Sequence, residues 1–173
     1  MPFLDRSTGD LLDLFAAGKN VPGAGSAAAL QGALAGSLLQ AVARYSRDEG
    51  LLNEARERSE RLRKAVDEDA AAFQEFWRSR TSEALAKATE IPLAIARDCA
   101  ALAAMGLELH EKGFKNARGE SAAAAWGALA AAEAALYVAR VNQGPEQGSR
   151  AEEIRSLAWD LRELRKRLED ATG

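Results

Sequence analysis

From Ser26 to Ala43 the chain reads SAAALQGALAGSLLQAVA, without one charged residue. Charged residues make up 28% of the whole sequence, so this run stands apart and cannot lie along a wet surface. It approaches the length of a membrane span, but Gln31, Gln40 and the repeated Ala and Gly make it far weaker than a Leu-rich span. The pattern predicts a helix of about Ser26 to Tyr45, buried on every side. Gly25, Ala29, Gly32 and Gly36 fall on one face, and Leu30, Leu34, Leu38 and Val42 on another. Small residues let a second backbone come close, while the other side supplies bulk.

A chain organised around such a helix is expected to be all-α. β-branched residues are sparse, and Val, Ile and Thr never alternate with polar residues in strand fashion. The expected architecture is a bundle of about five to seven helices around this Ala/Gly-rich centre, in a single domain over residues 1–173. Much of the 47% hydrophobic content is alanine. A buried methylene contributes ~0.8 kcal/mol, so an Ala-built interior gains little unless its helices approach closely. Oligomerisation is one way to add the missing burial.

Punctuation residues set the remaining elements. Ser7, with Asp10 three residues on, begins a helix that runs to Ala17, and GKNVPGAGS is a loop. A charged helix spans about Leu51 to Arg78. A short helix follows from Thr81, and Pro92 marks a kink or the first turn of a further helix reaching Lys112. After the loop KGFKNARGE, an Ala-dominated helix covers Ser121 to about Asn142 and ends at NQGPEQGS. The last helix opens on Ser149 and Glu152 as a capping box. Its seam of Ile154, Leu157, Leu161, Leu164 and Leu168 needs a partner helix, internal or from another subunit.

Several function classes are disfavoured. A net charge of -3 and a pI near 5.4 argue against coating nucleic acid. Cys99 and His110 are the only residues of their types, which excludes an intrachain disulfide and an all-Cys metal site. No His/Cys/carboxylate cluster has ligand spacing, and the Glu-x-x-His pairs of four-helix metal carboxylate proteins are missing, so no metal is expected. With no secretory signal at the N-terminus, the expectation is a soluble, cytoplasmic protein that does not engage the membrane.

One position breaks the pattern of the charged helix. Its stripe runs Leu52, Ala55, Ser59, Leu62, Val66, then Asp69, then Phe73 and Phe76. A carboxylate seated where an apolar residue is due faces the interior or a cleft, and burial raises its pKa toward neutrality. That state suits a general acid or base. The same Asp equally suits capping another helix or pairing with a buried Arg. Pro22, Gly23, Gly25 and Ser26 precede the uncharged helix, with Ser26 at the N-cap; such an end holds an anion or a carbonyl oxygen, or is simply a tight turn. It is no P-loop, since the Lys-Ser/Thr pair is missing. Asn142 ends an apolar face as a ligand contact or a helix cap, and Asn116 and Glu120 flank the start of that helix.

Taken in order, these segments resemble the cyclodeaminase/cyclohydrolase family, helical folate enzymes related to the C-terminal domain of formiminotransferase-cyclodeaminase. The Pro-Thr-Pro-Gly-Gly-Gly-Ser entry of that family is similar to Asn20-Val21-Pro22-Gly23-Ala24-Gly25-Ser26, and its Asp-x-x-Ala-Phe to Asp69, Ala72 and Phe73. Gly-Asn-Lys-Asn followed by Ser-Asp is similar to Gly113-Phe114-Lys115-Asn116 and Gly119-Glu120; Asn-Val-x-Ile-Asn-Leu is echoed by Tyr137 to Gln143. The likeness runs from about Leu11 to Gln143.

The resemblance implies an all-helical homodimer with a folate cleft near the glycine loop, and a tetrahydrofolate derivative as substrate. It implies closure of 5-formiminotetrahydrofolate to 5,10-methenyltetrahydrofolate with release of ammonia, a lyase reaction, or the related hydrolysis of methenyltetrahydrofolate. Asp69 takes the family's catalytic position; Pro22, Gly23, Gly25, Ser26, Lys115, Asn116, Glu120 and Asn142 take substrate-binding ones. The chain departs from the family at Phe114, which replaces an amide, at Gly119-Glu120, which replaces Ser-Asp, and more mildly at Ala24 and Gln143. Losing polar groups from a pocket weakens a ligand that depends on them. The departures leave open an alternative, a non-catalytic helical dimer that binds a small molecule or a protein.

Overall fold

The computed structural model describes residues 1–19, 21–143 and 148–173; Asn20 and the middle of the NQGPEQGS loop lie outside the described residues. Six α-helices follow one another and no strand occurs among the described residues. They are α1 (Thr8–Ala16), α2 (Ala24–Ser46), α3 (Glu49–Ser79), α4 (Ser82–Lys112), α5 (Arg118–Gln143) and α6 (Ser149–Thr172), with 3-10 turns at Phe3–Asp5 and Lys115–Ala117. Side chains set most of the boundaries. Ser7, Asp48 and Thr81 each accept the amide of the third residue on, at the starts of α1, α3 and α4. In α1 the Ser7 hydroxyl also donates to the Asp10 carboxylate.

α2 is central, packed on α3, α4 and α5. Its small face works as the spacing predicts. A Cβ on Gly32 would meet Cys99 Sγ at 2.4 Å, and one on Gly36 would meet Ser59 Cβ at 2.9 Å, so α3 and α4 sit close against bare backbone. α4 and α5 touch as tightly where Gly106 lies on the backbone of Ala125. Bulk comes from Leu39, Leu62, Leu93, Leu102, Leu107 and Leu129, all fully buried. Each such side chain contributes roughly 1.5–3 kcal/mol.

Four expectations change. α2 is not buried on every side: Leu34 is 63% exposed and Tyr45 61%, while the Gly/Ala side and Leu39, Val42 and Ala43 are buried and Leu30 and Leu38 pack partly against the core. The short helix and its successor are one helix, α4, with Pro92 inside it. A proline can sit there because the carbonyl it orphans, Ala88 O, accepts instead from the Asn142 amide of α5 at 2.8 Å. Ser149 is the first residue of α6 rather than its cap; the cap position is Gly148, without a side-chain bond. Likewise α2 begins two residues early, capped by Gly23, so Ser26 lies inside the first turn. The seam of α6 finds its partners internally, on α5 and α4.

Candidate functional site

α3 carries Asp69 into the bundle by the stripe that begins at Leu52. Every member from Leu52 to Asp69 is buried, and the carboxylate lies on the N-terminal turn of α2. Ser26 Oγ donates to Asp69 Oδ2 at 3.0 Å. The fit depends on Gly25, where a Cβ would stand 2.1 Å from Oδ1 and 2.7 Å from Oδ2. The side chain is therefore wedged against backbone at the positive end of a long helix.

Asp69 is 8% exposed, and no guanidinium or ammonium pairs with it among the described residues. Burial raises its pKa above the ordinary carboxylate value, while the Ser26 hydroxyl and backbone oppose that rise. The arrangement serves two ends. It engages Ser26 in the first turn of α2, and it makes the carboxyl hold a proton more readily than it would in water. Burial also pushes the Cys99 thiol up, which leaves it an inert packing group.

The sequence-derived site residues separate into two groups. Pro22, Gly23, Gly25, Ser26 and Asp69 gather at the N-terminal end of α2. Asn142 ends the antiparallel α5 on the same side, where its amide is engaged with Ala88 O. Lys115, Asn116 and Glu120 are exposed beyond the opposite end, where Phe114 N–H donates to Ser46 Oγ and the Phe114 ring lies 6.1 Å from that of Tyr45. From Ser26 to Ser46 the rise along α2 is ~30 Å, so one chain does not bring the two groups together. The surface grooves, among them one of about 290 Å³ between α3 and α4, are lined by neither group. No cluster of three or more His, Cys, Asp or Glu able to hold a metal occurs among the described residues.

One cluster escapes the periodicity. Beyond Asp69 on α3, the rings of Phe73 and Trp77 are stacked at 6.2 Å and 25°, and the Arg80 guanidinium lies 3.9 Å over Trp77. Trp77 falls off the core stripe, which is the one signal the sequence offers for it.

Among solved structures, the chain is similar to formiminotetrahydrofolate cyclodeaminase from Thermotoga maritima, at 22% identity and a TM-score of 0.70, covering 97% of this chain and 93% of that one. At that identity the likeness carries the fold. No curated protein matches the chain. The family model described as formiminotransferase-cyclodeaminase matches residues 7–152, which takes in α1 through the start of α6. The chain belongs to the formiminotransferase-cyclodeaminase family.

Proposed function

We propose that the protein is a one-carbon folate enzyme that closes 5-formiminotetrahydrofolate to 5,10-methenyltetrahydrofolate and releases ammonia, with Asp69 as general acid and base. The observation that carries this is a lone carboxyl, wedged on the first turn of α2 and held by Ser26, with its proton affinity raised by burial. N10 attacks the carbon of the protonated amidine, and the new C–N bond forms as the C=N π bond opens onto the amidine nitrogen. Asp69 accepts the N10 proton and passes it to the amidine nitrogen, which departs as ammonia while the remaining C–N bond to N5 gains its double-bond character. The proton is conserved and no cofactor or metal takes part. A carboxyl whose pKa burial has raised does this better than an ordinary one, because it holds a proton more readily and can still give it up. Water in place of ammonia gives the cyclohydrolase reaction at the same carbon, through the same acid.

The proposal includes a homodimer in the cytoplasm. α2 carries no charge before Arg44 and exposes Ala27, Leu34 and Tyr45, while α5 exposes Tyr137 and Val141. On α2 this makes an uncharged face ~30 Å long, of the kind that marks an interaction surface, whereas on α5 the Arg140 guanidinium lies 5.2 Å from the Tyr137 ring. Both helices are also long and apolar enough to cross a membrane by length and composition, and each is about half buried in the bundle. In the proposed dimer the two-fold axis crosses this face perpendicular to α2, which sets the Asp69 end of one copy against the Lys115 end of the other.

The decisive experiment measures turnover of 5-formiminotetrahydrofolate and binding of tetrahydrofolate by the purified protein and by Asp69→Asn. Turnover abolished by the substitution, with binding and the folded state retained, supports the proposal. Absence of folate binding at millimolar ligand sinks it. The Phe114 and Gly119 departures favour the second reading, a non-catalytic binder. In that case folate binds without turnover in the wild type.

A further inference from the structure

α3 outruns the core that it helps to build. Its last buried residue is Ala72, and the stretch from 73 to 79 contains none. Three of the next five residues are nonetheless large aromatics, Phe73, Phe76 and Trp77, and Trp77 is 54% exposed. Aromatic surface of this size is worth burying, yet Phe73 and Phe76 are only half-buried and Trp77 is left open.

Arg80 completes the cluster. Its guanidinium lies 3.9 Å over the Trp77 ring and 5.4 Å from that of Phe76. Neighbouring Arg78 is paired with Glu75, whereas Arg80 has no carboxylate partner among the described residues. Its backbone is left-handed, φ 55°, at the C-terminal position where glycine is the easy choice. A strained, unpaired cation laid on an exposed ring is a preformed fork for a carboxylate.

Order along the helix identifies the ligand. Asp69, Phe73 and Phe76 stand at i, i+4 and i+7, so they share one face, and the Arg80 guanidinium lies over the Phe76 and Trp77 rings at its end. Phe76 lies ~10 Å along the axis from Asp69, with the Arg80 guanidinium 5.4 Å from its ring. A reduced folate presents the same succession: a one-carbon unit, a benzoyl ring, then glutamate carboxylates. We infer that the projecting end of α3 seats the aryl-glutamate part of the substrate, with the benzoyl ring on Phe73 and Phe76 and the carboxylates on Arg80, presented by Trp77. This rests on the proposal that Asp69 acts at the one-carbon unit.

The test compares binding of tetrahydrofolate with that of tetrahydropteroate, which lacks the glutamate, by calorimetry on the full chain. Wild type is expected to favour tetrahydrofolate about tenfold, the equivalent of ~1.4 kcal/mol for a charge-assisted pair. Arg80→Gln removes that preference by weakening tetrahydrofolate alone, and Arg80→Lys restores part of it. Arg80→Gly loses the preference while its melting temperature stays level or rises, since glycine suits the left-handed backbone. Equal wild-type affinity for the two ligands, or equal loss of both in Arg80→Gln, overturns the inference and leaves the folate proposal standing. Failure of wild type to bind either one removes the folate proposal and this inference with it.

Discussion

Replacing Asn142 by Ala tests whether this side chain holds the fold together. Pro92 has no N–H, so the carbonyl of Ala88, a buried residue, loses its helical partner and depends on the Asn142 amide at 2.8 Å. Removing that amide strands a carbonyl away from water, at a cost of ~1–3 kcal/mol. For a domain of this size the melting temperature should fall by ~2–4 °C per kcal/mol. Pro92→Ala supplies the missing N–H. In that background Asn142→Ala should cost no more than a few tenths of a kcal/mol, a coupling of ~1–2 kcal/mol. Urea unfolding of the four variants measures the cycle, and the loss of the buried proline ring cancels between its two sides. An Asn142→Ala penalty that is the same with proline and with alanine at position 92 would refute the account, as would no penalty in either.

The other predictions concern Asp69 and the glycines. Because burial raises the Asp69 pKa, its stability contribution is complete below the unfolded value, near 3.9, and is lost as pH rises through the folded value. Asp69→Asn should therefore match wild type at acid pH and gain on it toward pH 7; thermal melts across that range show otherwise if the difference is flat or reversed. Gly25→Ala drives a methyl into the Asp69 carboxylate and should destabilise by ~1–3 kcal/mol. Adding Asp69→Ala should shrink that penalty, which denaturant midpoints will read. Gly106→Ala places a Cβ 2.7 Å from that of Ala125 and should cost a similar ~1–3 kcal/mol, because backbone lies behind it. Gly119→Ala meets nothing within 4 Å in the first turn of α5 and should instead stabilise by ~0.5–1 kcal/mol.

The helical class and the seat of Asp69 follow from the sequence alone, for one physical reason. Apolar period and caps such as Ser7 and Asp48 are local, and a helix obeys them wherever it packs. Asp69 stands out because its neighbours at helical spacing are apolar, and the structure indeed buries it. What its carboxylate touches is a tertiary matter, settled where α3 crosses the bare backbone of Gly25. Pro92 shows the same limit: locally it reads as a break, and only an amide from α5, 50 residues along by position, lets α4 continue. The open side of α2 was illegible for a related reason, since an uncharged face looks alike whether its cover comes from the same chain or from elsewhere. The separation of Lys115 from Ser26 likewise depends on the long span of α2 and on the chain returning along α5, which no local pattern records.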